Sequence, residues 1–213
     1  DELTLDLVNY NNSSLYLNPT LGKASKLYSQ KPTDGTGDFT VVRASTATRV
    51  NEDGLIETVA ANVPRLDYTG GLTCPVLLTE PQSTNLITYP ISFDNAYWTK
   101  TGSTVVGGQS SPSVDFPTSA FKLVESVGLS DHRISAQQQT LTANTYSGSF
   151  FAKKAERDVV QIFPNGSFDA NAYANFDLTN GVVSASVSTS AKIELLSDGW
   201  YKCSYTFEGA SVN

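Results

Sequence analysis

The stretch YSGSFFAKKAERDVVQIFPNG, residues 146–166, indicates the fold class of this chain most clearly. Residues 146–153 and 158–163 are rich in aromatic, small and β-branched residues, which suit the pleated, half-buried surface of a strand. The charge-dense segment AKKAER separates the two runs, and Pro164 with the Asn-Gly after it ends the second run. We therefore predict two strands joined by a polar hairpin, with further strands beside them.

Short strands alternating with turns continue through the chain after residue 90. Turn residues recur about every 8–12 positions, a spacing typical of β-sandwiches and barrels. The best hairpin signal is Asn180-Gly181, which lies between apolar runs. The other predicted strands cover residues 104–106, 120–126, 133–141, 172–178, 182–186, 191–196 and 200–207. The pattern predicts an all-β fold class, with an antiparallel β-sandwich at residues 90–213.

The first part of the chain has a different pattern, with short apolar runs scattered among turn formers. Residues 3–8 alternate like a short strand. Pro75 and Pro81 flank the run VLLTE, which limits it to an edge or isolated strand because proline cannot donate to a central ladder. We predict an extended, β-rich appendage or linker over residues 1–89, separate from the sandwich.

The acidic balance of the chain excludes several classes of partner. The net charge is -7 at a sequence pI of about 4.6, so the chain repels phosphate backbones and anionic lipid surfaces. No run approaches the roughly 18 apolar residues of a membrane helix. We therefore expect no nucleic-acid and no membrane partner. Strongly anionic polymers are also disfavoured, unless Arg133, Lys153 and Lys154 gather locally.

The chain has two cysteines, Cys74 and Cys203, and a single histidine, His132. Cys203 lies in an apolar strand, where free cysteine usually behaves as a small buried hydrophobe. A disulfide between the two cysteines stays open, because pairing cannot be deduced from sequence. The histidine count excludes His-rich metal sites, and no cysteine spacing fits zinc.

Alternation along the strands assigns inward and outward side chains. Val160 and Ile162 point inward, as do Ala174, Phe176 and Leu178 on the following strand. The opposite face then collects polar and aromatic residues: Arg133, Gln137, Gln161, Phe163, Tyr173 and Asn175. Aromatic rings suit the C–H groups of sugars, and amides and guanidinium groups pair with hydroxyls. The alternative, a solvated face of an ordinary antiparallel sheet, stays open.

Two further residues are candidates for ligand binding. Trp98 follows a turn-rich segment, where its ring is either an exposed binding platform or the residue that closes one end of the sandwich. His132, directly after Asp131, either donates to a ligand or is a satisfied turn residue. Trp200, in the turn sequence DGWY, is predicted to be a structural corner residue, because large aromatics are mostly buried.

Two segments of the chain resemble those of a known class of proteins. RASTATRVNEDGLIETVAANVPRLDY, followed by LLTEPQSTNLITYP, resembles a segment that recurs in bacteriophage tail, spike and virion-associated proteins. There it precedes a carbohydrate-binding-module-like β-sandwich. Here it precedes FDNAYWTKTGSTV, SAFKLVES, HRISAQQQTL, YSGSFFAKK and DGWYKCSYTF, in the order and spacing of that sandwich. The resemblance covers about residues 40–207.

The resemblance implies a jelly-roll sandwich that binds a surface or cell-wall polysaccharide without catalysis, on a virion or outside the cell. No cofactor is implied, except for a structural calcium ion near a sheet edge, for which Asp94, Asp115 or Asp177 could supply oxygen ligands. The alternative is a purely structural tail or spike adaptor, in which residues 1–89 dock onto neighbours, for instance in a homotrimer.

We predict that the chain is not an enzyme. Glycoside hydrolysis needs two carboxylates that flank a cleft, whereas the carboxylates here are dispersed without paired spacing. A lyase constellation of His132, Arg133 and Tyr173 can be drawn, but no spacing singles it out. The chain also has no nucleophile-elbow motif and no phosphate-binding loop.

Overall fold

The computed structural model describes residues 11–128, 131–137, 142–164, 172–187 and 190–209. It shows a β-rich chain in which all the strand pairs of this described part are antiparallel. The predicted all-β, antiparallel class is therefore confirmed, while the jelly-roll topology stays a prediction. The strand predicted at residues 3–8 lies outside the described residues.

The chain divides into two compact units, Asp1–Pro81 and Gln82–Asn213, called unit 1 and unit 2 below. Residues 82–89, which the sequence places in the appendage, thus belong to unit 2. The reason is aromatic contact: the ring of Tyr89 lies 5.7 Å from that of Tyr97, and its carbonyl accepts a hydrogen bond from the indole of Trp98.

Unit 1 contains three small antiparallel sheets. Its strands are β1 (Tyr16–Lys23), β2 (Lys26–Lys31), β3 (Phe39–Thr40), β4 (Ala47–Val50), β5 (Ile56–Val59), β6 (Leu66–Asp67) and β7 (Val76–Leu77). The sheet orders are β1-β2-β3, β4-β5 and β6-β7. The VLLTE run therefore forms an edge strand, as its flanking prolines predict.

Polar contacts contribute much of the order in unit 1, whose described residues bury few apolar side chains. Leu27, Val50 and Val59 are buried, and so is the carboxylate of Asp67. This carboxylate accepts a hydrogen bond from the amide of Val50 at 2.8 Å. The guanidinium group of Arg43 donates to four carbonyl groups, those of Ser45, Val59, Ala60 and Val63. Paired in this way, the buried polar groups avoid the cost of an unsatisfied donor or acceptor.

The remaining strands of the described residues belong to unit 2. They are β8 (Trp98–Thr101), β9 (Ser103–Gln109), β10 (Ala120–Glu125), β11 (Arg133–Ala136), β12 (Thr145–Lys153), β13 (Val159–Ile162), β14 (Tyr173–Asp177), β15 (Val182–Val187), β16 (Ser190–Leu195) and β17 (Trp200–Glu208). Every strand predicted after residue 90 overlaps one of these. The pattern missed β8, because its polar Thr-Lys-Thr sequence follows a turn cluster and lacks an apolar run.

Two three-stranded sheets face each other in a sandwich-like arrangement. Sheet A has the order β12-β17-β16, and sheet B has the order β13-β14-β15. Their inner faces share one apolar core, in which Phe176 of sheet B and Cys203 of sheet A are both 0% exposed. The rings of Phe150 and Phe176 meet edge to face across the two sheets, with centroids 5.6 Å apart. The inward set predicted for sheet B, including Val160 and Ile162, is confirmed.

The predicted hairpin within residues 146–163 is wrong. β12 pairs along its whole length with β17, and β13 pairs with β14, so the two runs belong to different sheets. The segment of residues 154–158, called the crossover loop below, carries the chain from sheet A to sheet B. Alternation could not distinguish the two arrangements, because a strand shows the same period whichever neighbour it pairs with.

Charged side chains anchor the crossover loop to neighbouring elements. The guanidinium group of Arg157 donates two hydrogen bonds to the Glu125 carboxylate on β10, at 2.9 and 2.7 Å. Glu156 pairs with Lys122 on the same strand. The hydrogen bond from Arg157 lowers the pKa of Glu125, and the one from Lys122 lowers the pKa of Glu156. The charge density that suggested an exposed hairpin tip therefore ties the crossover loop to β10.

Two turns agree with their predicted roles. At Asn180-Gly181 the chain turns from β14 into β15, and Gly181 has a φ of 66°, which favours glycine. Trp200 is 9% exposed at the start of β17, just after a 3₁₀ turn at Ser197–Gly199, as expected of a structural corner. The carboxylate of Asp198 in that turn pairs with Lys153 of β12 at 2.7 Å.

Neither cysteine forms a disulfide, which resolves the pairing that the sequence left open. Cys74 is exposed, whereas Cys203 is buried in the core between sheets A and B. Burial raises the pKa of the Cys203 thiol to about 12, so it stays protonated and unreactive at neutral pH. The interpretation of Cys203 as a small buried hydrophobe is confirmed.

Candidate functional site

The outer face of sheet B, which points away from the core, holds four of the predicted site residues. The strand registers place eight side chains on this face: Val159, Gln161, Tyr173, Asn175, Asp177, Val182, Ala185 and Val187. Phe163 directly follows β13 and is exposed, as continued alternation from Gln161 predicts. The inward neighbours Ala174 and Phe176 are fully buried, which fixes the register of β14. Gln161, Phe163, Tyr173 and Asn175 thus lie on one surface, as alternation predicts.

Two amides occupy the middle of the outer face of sheet B. Gln161 pairs with Asn175 across the strands, and its Nε2 donates to Asn175 Oδ1 at 2.8 Å. This bond orients both side chains and leaves Gln161 Oε1 as an acceptor and Asn175 Nδ2 as a donor. An acceptor and a donor side by side on a strand surface can bind neighbouring hydroxyl groups of a sugar.

Aromatic side chains lie at one end of the same face. Ile162 pairs with Ala174, so Phe163, which follows Ile162, and Tyr173, which precedes Ala174, are at the same end of their strands. Phe163 is 39% exposed, and Tyr173 is partly buried. Rings of this kind offer an apolar surface for the C–H groups of a sugar ring.

Exposed apolar side chains also stand on the outer edges of this face. Val159 and Val182 are each 48% exposed at the end away from the aromatic rings, and Val187 is 41% exposed beside them. The face therefore combines an apolar surface with a few oriented polar groups.

The only charged side chain on the outer face of sheet B, within the described residues, is Asp177, and its own turn engages it. Its carboxylate accepts hydrogen bonds from the Asn180 side chain at 2.7 Å and from the amides of Thr179 and Asn180 at 2.8 and 3.0 Å. These donors, the Asn180 side chain first, lower the pKa of Asp177. The carboxylate thus stabilises the turn into β15.

The other four predicted site residues lie on a separate two-stranded sheet. Trp98 begins β8, while Arg133 lies on β11, His132 precedes it and Gln137 follows it. In the described part of the chain β11 pairs with β8 and not with β13 or β14. The structure therefore does not bring Arg133 and Gln137 into one sheet with Gln161, Phe163, Tyr173 and Asn175.

Local contacts favour structural roles for the residues around β11. His132 Nδ1 donates to the carbonyl of Gly102 at 2.6 Å, which holds the ring against the turn between β8 and β9. Arg133 Nη1 pairs with Asp131 Oδ2 at 3.0 Å. The backbone amide of Gln137 donates to the Tyr97 carbonyl at 3.2 Å, extending the β11-β8 pairing by one step.

Trp98 belongs to an aromatic cluster that sequence reasoning missed. Its ring lies 4.8 Å from that of Phe93 and 5.5 Å from that of Tyr97, and Phe93 also contacts Phe121 of β10 edge to face at 5.9 Å. Its indole N–H donates to the Tyr89 carbonyl at 2.8 Å. These contacts favour the interpretation that Trp98 closes the end of the fold. The close sequence spacing of Tyr89, Phe93, Tyr97 and Trp98 is the signal that could have indicated the cluster.

The outer face of sheet A is polar and provides a contrast. Its side chains include Ser147, Ser149, Phe151, Lys153, Ser190, Lys192, Glu194, Lys202, Ser204 and Thr206. Phe151 is 43% exposed, close to the value for Phe163 on sheet B. Lys192 pairs with Glu194 at 2.7 Å. Hydroxyl and charged groups dominate this face, as expected of a solvated sheet surface.

The described residues contain neither a metal-ligand cluster nor a membrane-spanning helix. Within the residues that the structure describes, no three His, Cys, Asp or Glu side chains cluster closely enough to hold a metal ion. Of the carboxylates suggested for calcium, Asp177 is occupied by its turn. None of the described residues belongs to a helix with the length and apolarity to span a bilayer.

Comparisons with known proteins add no family to this description. No protein-family model matches the chain, and no curated protein matches it. The functional proposals below therefore depend on the geometry of the outer face of sheet B and on the sequence resemblance described above.

Proposed function

We propose that this chain is a non-catalytic module that binds a surface or cell-wall polysaccharide, as part of a phage-type protein on a virion or outside the cell. The observation that supports this proposal most is the arrangement of four side chains on one sheet face. The outer face of sheet B sets Phe163 and Tyr173 beside the hydrogen-bonded amides of Gln161 and Asn175. The phage-type context comes from the sequence resemblance alone.

The chemistry of this face matches that of a sugar chain. Sugar rings carry patches of C–H groups that pack on aromatic faces, and hydroxyl groups that pair with amides. Four residues along a strand and three neighbouring strands give a face of about 13 by 10 Å, which suits a short run of sugar rings. The face is open and polar groups are few, so we expect micromolar to millimolar affinity per module, roughly -4 to -8 kcal/mol. Several copies on one particle would then supply avidity.

The test is affinity electrophoresis of the full chain in gels containing dextran, xylan, galactomannan, hydroxyethyl cellulose or bacterial surface polysaccharides. Phe163→Ala and Tyr173→Ala variants should lose about tenfold or more in affinity for the polysaccharide that retards the wild type, because each loses a stacking surface. Phe151→Ala is the matched control, since it removes an equally exposed phenylalanine from the outer face of sheet A. It should bind like the wild type.

Two results would change the proposal. Retardation that survives both sheet B variants but is lost in Phe151→Ala would move the site to sheet A. No retardation by any neutral or acidic polysaccharide, with calcium or without it, would overturn glycan binding.

A structural tail or spike adaptor is the second candidate function, and one feature of unit 1 favours it. Phe39, Val42 and Val76 are 49%, 86% and 50% exposed in a unit that buries few apolar side chains among its described residues. Exposed apolar groups of this kind are typical of surfaces that associate. Concentration-dependent self-association in sedimentation experiments, together with no glycan binding, would support this candidate, for instance as a homotrimer.

A further inference from the structure

We infer that the outer face of sheet B selects an uncharged polysaccharide, one without carboxylate, sulfate or phosphate groups. The inference rests on the proposed function and specifies its ligand class. It follows from where unit 2 places its positive charges.

The face itself offers no cation to an anionic sugar. Among its described side chains the only charge is the carboxylate of Asp177, and the others are apolar, aromatic or amide groups. Residues 165–171, between β13 and β14, and residues 188–189, between β15 and β16, contain no lysine or arginine in the sequence, whereas the crossover loop before β13 contains Lys154 and Arg157. A guanidinium or ammonium group is what proteins use to bind sugar carboxylates, sulfates and phosphates.

The cations of unit 2 are engaged elsewhere. Six of these cations donate a hydrogen bond to a side-chain oxygen: Lys122, Arg133, Lys153, Lys154, Arg157 and Lys192. Lys100 donates to the carbonyl of Asn95 at 3.0 Å, and Lys202 stands opposite Glu194 on the outer face of sheet A. Each of the three cations that could favour an anionic polymer, Arg133, Lys153 and Lys154, therefore already donates to another side chain.

Lys154 contacts the turn at one end of the face, and its position reinforces this selection. Its Nζ donates to Thr179 Oγ1 at 2.7 Å, and its charge helps to lower the pKa of Asp177. It thus lies at the turn end of β14, where the Asp177 carboxylate offsets its charge. The aromatic end, at Phe163 and Tyr173, is four residues further along the strands.

Desolvation and the net charge of the chain also disfavour an anionic ligand. A sugar carboxylate placed on Phe163 and Tyr173 would lose water without gaining a charged partner, which is unfavourable. The net charge of -7 adds a weaker, salt-screened repulsion of any polyanion. A neutral sugar avoids both costs, because it carries no charge and its hydroxyl groups can form hydrogen bonds with the amides of Gln161 and Asn175.

The experiment compares each neutral polysaccharide that retards the full chain with its own carboxymethylated derivative, for example dextran with carboxymethyl dextran. We expect the derivative to bind about tenfold more weakly or not at all, since each buried carboxylate would be unpaired. Binding of the neutral form should be nearly independent of sodium chloride concentration, because no ion pair is made. Gln161→Lys should reverse part of the preference by adding a cation to the face, whereas Ser204→Lys, on the outer face of sheet A, should not.

The possible failures are distinguishable. Stronger binding of the carboxymethylated form, or neutral binding that weakens steeply with salt, would overturn the selection of an uncharged ligand and leave glycan binding intact. Binding of neither form would overturn both the selection and the proposed function.

Discussion

Sheet A and sheet B contribute to the same core, yet their outer faces carry different chemistry. Inward, both present apolar side chains such as Ile193 of sheet A and Ile162 of sheet B. Outward, sheet A shows mostly hydroxyl and charged groups with one exposed phenylalanine, Phe151, while sheet B shows valines, aromatic rings, a pair of amides and one carboxylate. Inner residues are constrained by packing against the partner sheet, whereas most outer residues are free of that constraint. The less polar outer face of sheet B is therefore the one on which we base the proposed function, whereas the outer face of sheet A is typical of a solvated surface.

The largest expected effect comes from breaking the core that the two sheets share. Phe176→Ala should lower the free energy of unfolding of unit 2 by about 3–5 kcal/mol, because Phe176 is fully buried and its ring contacts Phe150 across the sandwich. Urea denaturation followed by tryptophan fluorescence measures this loss. Labelling of the Cys203 thiol should accelerate in parallel, because the thiol becomes reactive only when the core opens.

Phe151→Ala is the control for this prediction, since Phe151 lies on the outer face of sheet A and is 43% exposed. This substitution should lower the free energy of unfolding by about 1 kcal/mol or less. Equal losses for the two phenylalanines would contradict the assignment of inner and outer faces. The exposed Cys74 supplies an internal standard, because its labelling should not change in either variant.

An intermediate effect is expected from Gly148→Ala, which tests the inner face of sheet A alone. A Cβ atom at this position would overlap the ring of Tyr205 on the paired strand β17. We expect a loss of about 1–3 kcal/mol in the free energy of unfolding, because overpacking forces the ring to move. Ser149→Ala, one residue further on and facing outward, should be nearly neutral in the same denaturation experiment. A stable Gly148→Ala variant would show that Tyr205 has room to yield.

The smallest effect concerns Asp177, the one charge on the described outer face of sheet B. Its pKa is lowered in the folded state by the donors of its turn, so its carboxylate stabilises the fold above the unfolded-state pKa, about 3.9. This contribution is lost as the pH falls through the folded-state pKa. Asp177→Asn should therefore be slightly less stable than the wild type near pH 7, and the difference should close in acid.

Thermal melts of the wild type and Asp177→Asn across pH 3–7 would test this prediction. Asn180→Ala should show part of the same loss, because it removes the side-chain donor. Glycan binding should be unchanged in Asp177→Asn, since the carboxylate serves the turn and not the ligand. A pH-independent difference would mean that the turn does not depend on the charge.

The strands and their inward sides could be predicted from the sequence because both follow from local alternation. The runs around Phe176 and Cys203 place apolar side chains at every second position, and a slip of one residue would expose them. The Asn180-Gly181 turn was equally readable, since few dipeptides adopt its backbone conformation easily. The four site residues Gln161, Phe163, Tyr173 and Asn175 share a face for the same local reason.

Strand pairing could not be predicted, because it depends on residues far apart in the chain. Five residues link β12 to β13, a length that suits a hairpin as well as a crossover between sheets. Which one forms depends on β17, about fifty residues later, whose register with β12 is visible only in the structure. For the same reason the prediction that Arg133 and Gln137 share a face with the residues of sheet B is wrong. Their strand, β11, pairs with β8.

The position of β17 has a consequence for how this unit folds as it is made. β17 is the central strand of sheet A, but it follows both of its neighbours, β12 and β16, in the chain. During translation, the ribosome therefore releases two strands of sheet A whose hydrogen-bonding edges have no partner until residues 200–208 emerge. Sheet B can pair earlier, because β13, β14 and β15 are consecutive. In a newly made chain, sheet A therefore cannot form until β17 has been synthesised. Until then, chaperones or other nascent chains can bind the unpaired edges of β12 and β16.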